Sequence, residues 1–244
     1  MSSVFVTSVG RGPGLVVLPG TTRRAHHYDK LAAALADQFT VHLVDRRGRG
    51  SSPPQAPDYC LDTEVNDALE VLEETGSGQL FGHSYGALIG LHVALRRDLD
   101  RLVLFEPPVI LGKDLSWLED RPAIRTARDY AFFLTRMEFM PRTPITVPLL
   151  WASLKVNREI RAMLPTIVPE LRQVAALDSD GSRYEDVTTP TLLIGGGKSP
   201  GYLADALRML AAIIPYAKAV SIPECDHNGP DLSGPSKVAA AIRA

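Results

Sequence analysis

Long apolar runs are missing from this sequence. No stretch approaches the about 20 consecutive apolar residues of a membrane-spanning helix, so no helical span is expected. Cysteine is scarce: Cys60 and Cys225 lie far apart and fit no metal spacing, which excludes a disulfide framework and leaves two free thiols as the expectation. An excess of charge is missing too. The net charge is −2, and nothing in it argues for a nucleic acid or an anionic membrane as partner. The start, Met1 to Thr7, has no basic segment ahead of a long apolar one, so no signal peptide is read and a cytoplasmic location is expected. There is no internal repeat and no low-complexity linker.

What remains is ordinary globular material, 244 residues at 45% hydrophobic and 22% charged, enough for one large core with an inserted subdomain. A short, wholly apolar run of the kind buried on both faces of a sheet occurs at Leu15–Leu18, and further short, mainly apolar strands are read at Thr40–Val44, Leu80–Phe81, Arg101–Phe105, Thr191–Ile194 and Ala219–Ile222. A further strand is read at Val4–Val9. Helical patterns fall between them, at Tyr28–Ala36, Asp62–Glu74, after Gly86 to Arg97, at Leu203–Ile213 and at Ser236–Arg243. Strands alternating with helices predict an α/β fold with a mostly parallel, doubly wound sheet. From Val109 to Val187 the rhythm changes to helical pattern broken by prolines and rich in aromatics and methionine. The expected division is a core of residues 1–108 and 188–244 with a helical lid, 109–187, inserted after the strand that ends at Phe105.

The chemistry concentrates at Gly82-His83-Ser84-Tyr85-Gly86, a G-x-S-x-G turn from strand to helix that holds a serine up as a nucleophile. So sharp a turn strains the serine backbone and needs hydrogen for side chains at Gly82 and Gly86, where strand and helix pass closely. The helix that begins at Tyr85 aims free N–H groups at the serine, which suits an oxyanion.

Five landmarks in order make the whole chain resemble an α/β-hydrolase with a helical cap. They are Leu15–Gly20, the loop Asp45-Arg46-Arg47-Gly48-Arg49-Gly50-Ser51 that matches D-x-R-G-x-G-x-S, the Gly82–Gly86 elbow, the strand Thr191–Ile194, and the strand ending at Pro223 ahead of Asp226-His227. The resemblance implies Ser84 as nucleophile, His227 as base, and oxyanion donors at the N–H groups of Tyr85 and Thr21. Pro19 stands where the family usually has a loop-packing histidine. The family's usual Asp after Thr191–Ile194 is absent, since that loop reads Gly195-Gly196-Gly197-Lys198-Ser199-Pro200 with no carboxylate before Asp205. Glu106, at the carboxyl end of the strand beside the elbow strand, is read as the acid, a position that some lipase-like members use; Ser199 is the uncharged substitute. Asp226 adjoins His227 and is not expected to fold back onto its ring.

Of the other histidines, His83 is read as support for the elbow, and His26 and His27 as pocket lining or a helix cap. His42 and His92 are read as core or surface residues. Asp178 and Asp180 are read as lid hinges, and Arg121, Arg125 and Arg128 as a solvated face. Phe132, Phe133, Met137 and Trp151 are read as the lining of a substrate pocket beneath the lid. The resulting expectation is a cofactor-independent serine hydrolase, with no metal, that acts on a small to medium, largely apolar ester, lactone or thioester. Its partner is a small-molecule substrate, with the chain a monomer or a homodimer. The same site would also serve a cyclase, a lyase or a carbon–carbon hydrolase, and a catalytically silent ligand-binding member would keep the fold. Asp in place of Ser84 would be needed for an epoxide hydrolase or a dehalogenase, so both are excluded.

Overall fold

The computed structural model describes residues 4–109, 113–177 and 180–244. Seven strands form one sheet: β1 (Phe5–Gly10), β2 (Gly14–Leu18), β3 (Thr40–Asp45), β4 (Gln79–His83), β5 (Arg101–Phe105), β6 (Thr191–Gly196) and β7 (Ala217–Ile222). Their spatial order is β1-β3-β2-β4-β5-β6-β7, with every pair parallel except the antiparallel β1–β3 edge. Alternation along each inner strand feeds two cores. Val16, Leu18, Leu80, Leu102 and Leu104 join one cluster, while Leu15, Val17, Phe81, Val103 and Phe105 join the other. Both clusters are needed because a parallel sheet buries both its faces, which is why the inner strands read as unbroken apolar runs.

Helices cover each face. Against the first cluster pack α2 (Leu61–Thr75), α3 (Tyr85–Ala94) and α8 (Gly201–Ile213). Against the second pack α1 (Asp29–Leu35) and α9 (Pro235–Arg243). Nine of the ten residues of α3 are buried, so it is apolar almost all round, and Gly86 and Gly90 let it lie close on the sheet.

Between β5 and β6 run α4 (Ala127–Arg136), α5 (Thr146–Val156), α6 (Arg158–Met163) and α7 (Ile167–Ala175). They carry a third cluster of their own, including Trp117, Tyr130, Phe133, Leu150, Leu164 and Ile167. Thr126 and Asp129 form a reciprocal capping box that starts α4. Of the three arginines read as a solvated face, Arg125 and Arg128 are exposed. Arg121 is not free: its guanidinium lies 4.0 Å from the Phe132 ring centre and pairs with Asp129. Asp180 caps a local turn by accepting from Ser182 N at 3.1 Å, while Asp178 lies outside the described residues. Among the described residues no helix is long and apolar enough to cross a membrane. Cys60 and Cys225 are free thiols.

The elbow packing gives a first test. A Cβ at Gly86 would stand 2.1 Å from Leu18 O, and one at Gly82 would stand 2.5 Å from the Ala87 Cα. Both obstacles are backbone and cannot step aside. A Cβ at Gly201, at the start of α8, meets nothing within 4 Å. Gly86→Ala is therefore expected to lower the unfolding free energy by at least about 2 kcal/mol in urea titration, as overpacking does, whereas Gly201→Ala should leave it unchanged or slightly raised. Equal effects at the two positions would contradict the close approach.

Candidate active site

Ser84 stands between β4 and α3 with φ 53° and ψ −119°, a backbone conformation that a non-glycine residue holds only under strain. The turn is held from both sides: Ser84 N donates to Phe105 O at 2.8 Å, and Ser84 O accepts from Ala87 N at 2.8 Å. Glu106, the residue after β5, is also left-handed, at φ 49°. So are Thr22 (φ 56°) and Glu138 (φ 60°), and among the described residues these four are the non-glycine positions with positive φ. Each is in, or next to a residue that lines, one cavity of about 280 Å³, or next to His227. Backbone strain is thus concentrated at the site.

His227, in the loop after β7, sets its Nδ1 2.6 Å from Glu106 Oε2. The other oxygen of Glu106 accepts from Gly196 N at 2.7 Å, at the end of the neighbouring strand β6. Both carboxylate oxygens are therefore engaged, and the residue is 1% exposed. An ionised carboxylate is acceptor-only, so this contact puts the histidine proton on Nδ1 and leaves Nε2 with a free lone pair. The Phe139 ring stacks on His227 at 4.5 Å and 14°, screening one face of the imidazole. Ser84 and His227 line the same cavity, and among the described residues no hydrogen bond joins Ser84 Oγ to the ring. Such bonds are often long without substrate and tighten when it binds.

His83, the last residue of β4, lines the cavity beside Ser84, but both its ring nitrogens are occupied. A hydrogen-bond chain runs through it: Gly20 N donates to Tyr28 Oη at 3.1 Å, and Tyr28 Oη lies 2.6 Å from His83 Nδ1. The other ring nitrogen, Nε2, lies 2.8 Å from His227 O. One assignment satisfies every partner, with Tyr28 O–H donating to Nδ1 and His83 Nε2–H donating to the carbonyl. Burial holds His83 well below the usual histidine range, with the nearby His227 and Arg23 adding to the effect, so the ring stays neutral. Burial pushes the Tyr28 hydroxyl up, so it stays a donor. This chain connects the loop before α1 to the backbone of His227.

Tyr85 opens α3, where its N–H has no intrahelical acceptor. Thr21 follows Gly20, whose imagined Cβ would be 3.2 Å from Ser84 Cβ, so this loop runs directly past the nucleophile. Thr21, Ser84, Tyr85 and His227 all line the cavity. Its remaining wall is mostly apolar and comes largely from the segment between β5 and β6, with Phe133, Leu134, Met137, Met140, Leu150 and Leu171. Two of the expected lining residues are elsewhere. Phe132 faces Trp117, at a ring separation of 5.3 Å, and Arg121; Trp151 is 55% exposed with Lys155 Nζ 3.4 Å from its ring centre. Phe133 and Met137 do line the cavity. Phe133 and Leu134 bring the cavity-facing side of α4, and Phe132, about 100° back around the helix from Phe133, turns to Trp117 and Arg121 instead.

Among the described residues no other polar side chain bonds to the His227 ring. Ser199 Oγ is buried with no hydrogen-bond partner, so it is not bonded to His227. Asp205 pairs with Arg208 on the exposed side of α8. Asp226 accepts from Asn228 N at 2.9 Å and Ser233 Oγ at 2.7 Å, turned into its own loop. His42 is bonded to Ser8 Oγ at 2.8 Å, and His92 lies 3.3 Å from the Tyr184 hydroxyl. His26 and His27 do not line the cavity; they gather around Glu159 of α6, a grouping within reach of one metal ion. The chemistry of that set is poor for a metal. Arg24 already pairs with Glu159, and Arg24 N donates to His27 Nδ1 at 2.9 Å, which keeps the His27 proton on the nitrogen that would have to bind.

Several site residues carry no sequence signal. Arg23, Tyr130, Phe139, Tyr202 and Asn228 line the cavity from five separate segments, and no motif marks any of them. Arg23 is held by Asp231 and by Asn228 Oδ1 at 2.8 Å.

The chain is similar to known proteins over nearly its whole length. A pimeloyl-[acyl-carrier protein] methyl ester esterase from Nitrosomonas europaea is 27% identical over 260 residues, covering 100% of both chains. A 2-(acetamidomethylene)succinate hydrolase from Mesorhizobium japonicum is 27% identical over 242 residues, covering 91% of this chain and 84% of that one. The crystal structure of an alpha/beta hydrolase from Sphaerobacter thermophilus superposes with a TM-score of 0.79 at 25% identity, over 98% of this chain and 96% of the other. The model of the alpha/beta hydrolase family matches residues 15–241, and with the elbow, the sheet order and the strand-end residues all in keeping, the chain belongs to that family.

Proposed function

We propose that the protein is a serine hydrolase that cleaves a small to medium, largely apolar ester, lactone or thioester through an acyl-enzyme on Ser84. The observation that carries this reading is the 2.6 Å contact between Glu106 Oε2 and His227 Nδ1, beside a serine on a strained elbow. A serine hydroxyl is a poor nucleophile unless a base takes its proton. With Nδ1–H committed to Glu106, His227 Nε2 is that base. Rotation of the Ser84 side chain toward it, as the substrate carbonyl enters, completes the set.

The reaction then runs in two halves. Ser84 Oγ bonds to the acyl carbon as its proton passes to His227 Nε2, and Glu106 stabilises the imidazolium without itself being protonated. The tetrahedral oxyanion collects the N–H groups of Tyr85 and Thr21, each worth about 3 kcal/mol. His227 returns the proton to the departing alcohol or thiol. Water next attacks the acyl-serine with the same base and the same donors. Residues 109–187 act as a cap: Phe133, Met137 and their neighbours supply the apolar wall that keeps bulk water from the acyl group.

A cavity of about 280 Å³ sits at the lower end of the range for small-molecule pockets, which favours a compact acyl chain. The two curated relatives bear the names of an ester hydrolase and a succinate-derivative hydrolase, in keeping with carboxylic acid derivatives as substrates.

Two measurements test this reading. A fluorophosphonate probe is expected to label the wild type, with the tag mapping to Ser84, and to leave Ser84→Ala and His227→Ala unlabelled; a folded wild type that resists the probe at every pH would sink the reading and favour a silent ligand-binding member. Turnover of short-chain p-nitrophenyl esters should fall by about 10⁴-fold in Glu106→Gln with the fold intact, while Ser199→Ala stays near wild type. The reverse order would move the acid away from Glu106.

A further inference from the structure

Behind the loop that carries Thr21 lies a buried cluster of four charges. Arg46 and Arg49 come from the segment after β3, Glu64 from α2 and Glu170 from α7 of the insert, and none of the four side chains is more than 2% exposed. Arg46 donates to both oxygens of Glu64, at 2.7 and 2.8 Å, and to Glu170 Oε1 at 3.2 Å. Arg49 pairs with the same Glu170 oxygen. Two cations and two carboxylates balance, as buried charges must. Burial alone would raise the Glu170 carboxyl, but Arg46 and Arg49, helped by the Thr21 hydroxyl, hold it below the usual carboxylate range.

The cluster does more than neutralise itself. Arg46 Nε donates to Pro19 O at 2.8 Å and Nη2 to Gly20 O at 3.2 Å, and its guanidinium stands 5.0 Å from the centre of the Tyr85 ring. Gly20 N is taken by Tyr28. The peptide groups leading into Thr21 are thus pinned one after another. Thr21 itself is pinned by its hydroxyl, which donates to Glu170 Oε2 at 2.7 Å. That oxygen is not the one that meets Arg46 and Arg49, so the bond to Thr21 contributes nothing to charge balance that the other oxygen does not already supply.

We propose that Glu170 is a positioning residue that, through Thr21 Oγ1, fixes the Thr21 peptide as an oxyanion donor and so makes the oxyanion hole depend on the insert being seated. It deepens the serine hydrolase reading and rests on it. Helix α7 brings Glu170 into the core, while Leu171 on the same helix lines the cavity. One helix therefore touches both the acyl pocket and the loop that stabilises the transition state. Seating the insert over a substrate and completing the oxyanion hole become the same event, a coupling that favours the transition state over free substrate.

Thr21→Val removes the hydroxyl while keeping the shape and leaving every charge in place. With p-nitrophenyl esters its kcat should fall by about tenfold, short of the about 10²-fold for outright loss of a donor, while KM stays near wild type and the thermal midpoint falls modestly, because buried Glu170 Oε2 loses its hydrogen-bond partner. Affinity for a trifluoromethyl ketone, which mimics the tetrahedral oxyanion, should fall in step with kcat/KM. Thr21→Ser, which restores the hydroxyl, should recover both. Glu170→Gln should lower kcat in the wild-type background and add little in the Thr21→Val background; if it fails to fold, the Val and Ser pair at Thr21 decides alone. Wild-type kcat in Thr21→Val, or a loss that Thr21→Ser does not restore, overturns the proposal. The two ideas fail differently: an unlabelled Ser84 removes the hydrolase reading and this one with it, whereas a labelled, active enzyme indifferent to Thr21→Val removes this one only.

Discussion

The contact between the Glu106 carboxylate and His227 Nδ1 is the interaction on which the rest of the site depends. It requires β5 to end beside β4 and β6, so that Glu106 emerges between the nucleophile strand and the Gly196 N–H that holds its second oxygen. It also requires the loop after β7 to return across the sheet, and the buried His83 holds that loop by the carbonyl of His227 itself. A carboxylate buried to 1% exposure would be costly alone. Here it is tolerable because a backbone donor and an imidazole occupy its two oxygens. The arrangement fixes the tautomer of His227, and the tautomer decides which nitrogen is free to act as a base.

Strain and hydrogen bonding divide the work around this contact. Ser84, Glu106 and Thr22 adopt left-handed backbone angles within one small region, each held there by the strand ends or turns that flank it. Such conformations persist only where the surroundings over-determine them. The surroundings here are two side-chain systems, the neutral chain through Tyr28 and His83 and the charged cluster of Arg46, Arg49, Glu64 and Glu170. The first sits under His227 and the second under the loop of Thr21. Between them they tie Ser84, His227 and Thr21 to the sheet and to the helices between β5 and β6.

The fold was legible because a parallel sheet writes its buried strands as short apolar runs, and the inner strands β2 to β6 lie where those runs fall, to within a few residues. The edge strand β7 begins two residues earlier than its apolar core suggests, since most of its side chains are exposed and carry no hydrophobic signal. Ser84 was legible from its glycines, which packing within 3 Å of backbone requires at both Gly82 and Gly86. Glu106 could be found from its place at a strand end. The pocket could not. Phe132 and Phe133 are alike in composition and differ only in helical phase, and Trp151 faces outward while Leu150 beside it lines the cavity. Tyr28 and Glu170 act through partners 55 and 149 residues away, at His83 and Thr21, a separation that no local pattern records.

The central claim is that Ser84 carries the acyl group during turnover. Rapid-quench mass spectrometry of the enzyme mixed with a short-chain p-nitrophenyl ester tests it most directly. The account predicts that one acyl group appears on the peptide containing Ser84 before steady state, together with a burst of nitrophenol equal to the number of enzyme sites. Turnover of the ester with no covalent adduct at Ser84 at any quench time would contradict it.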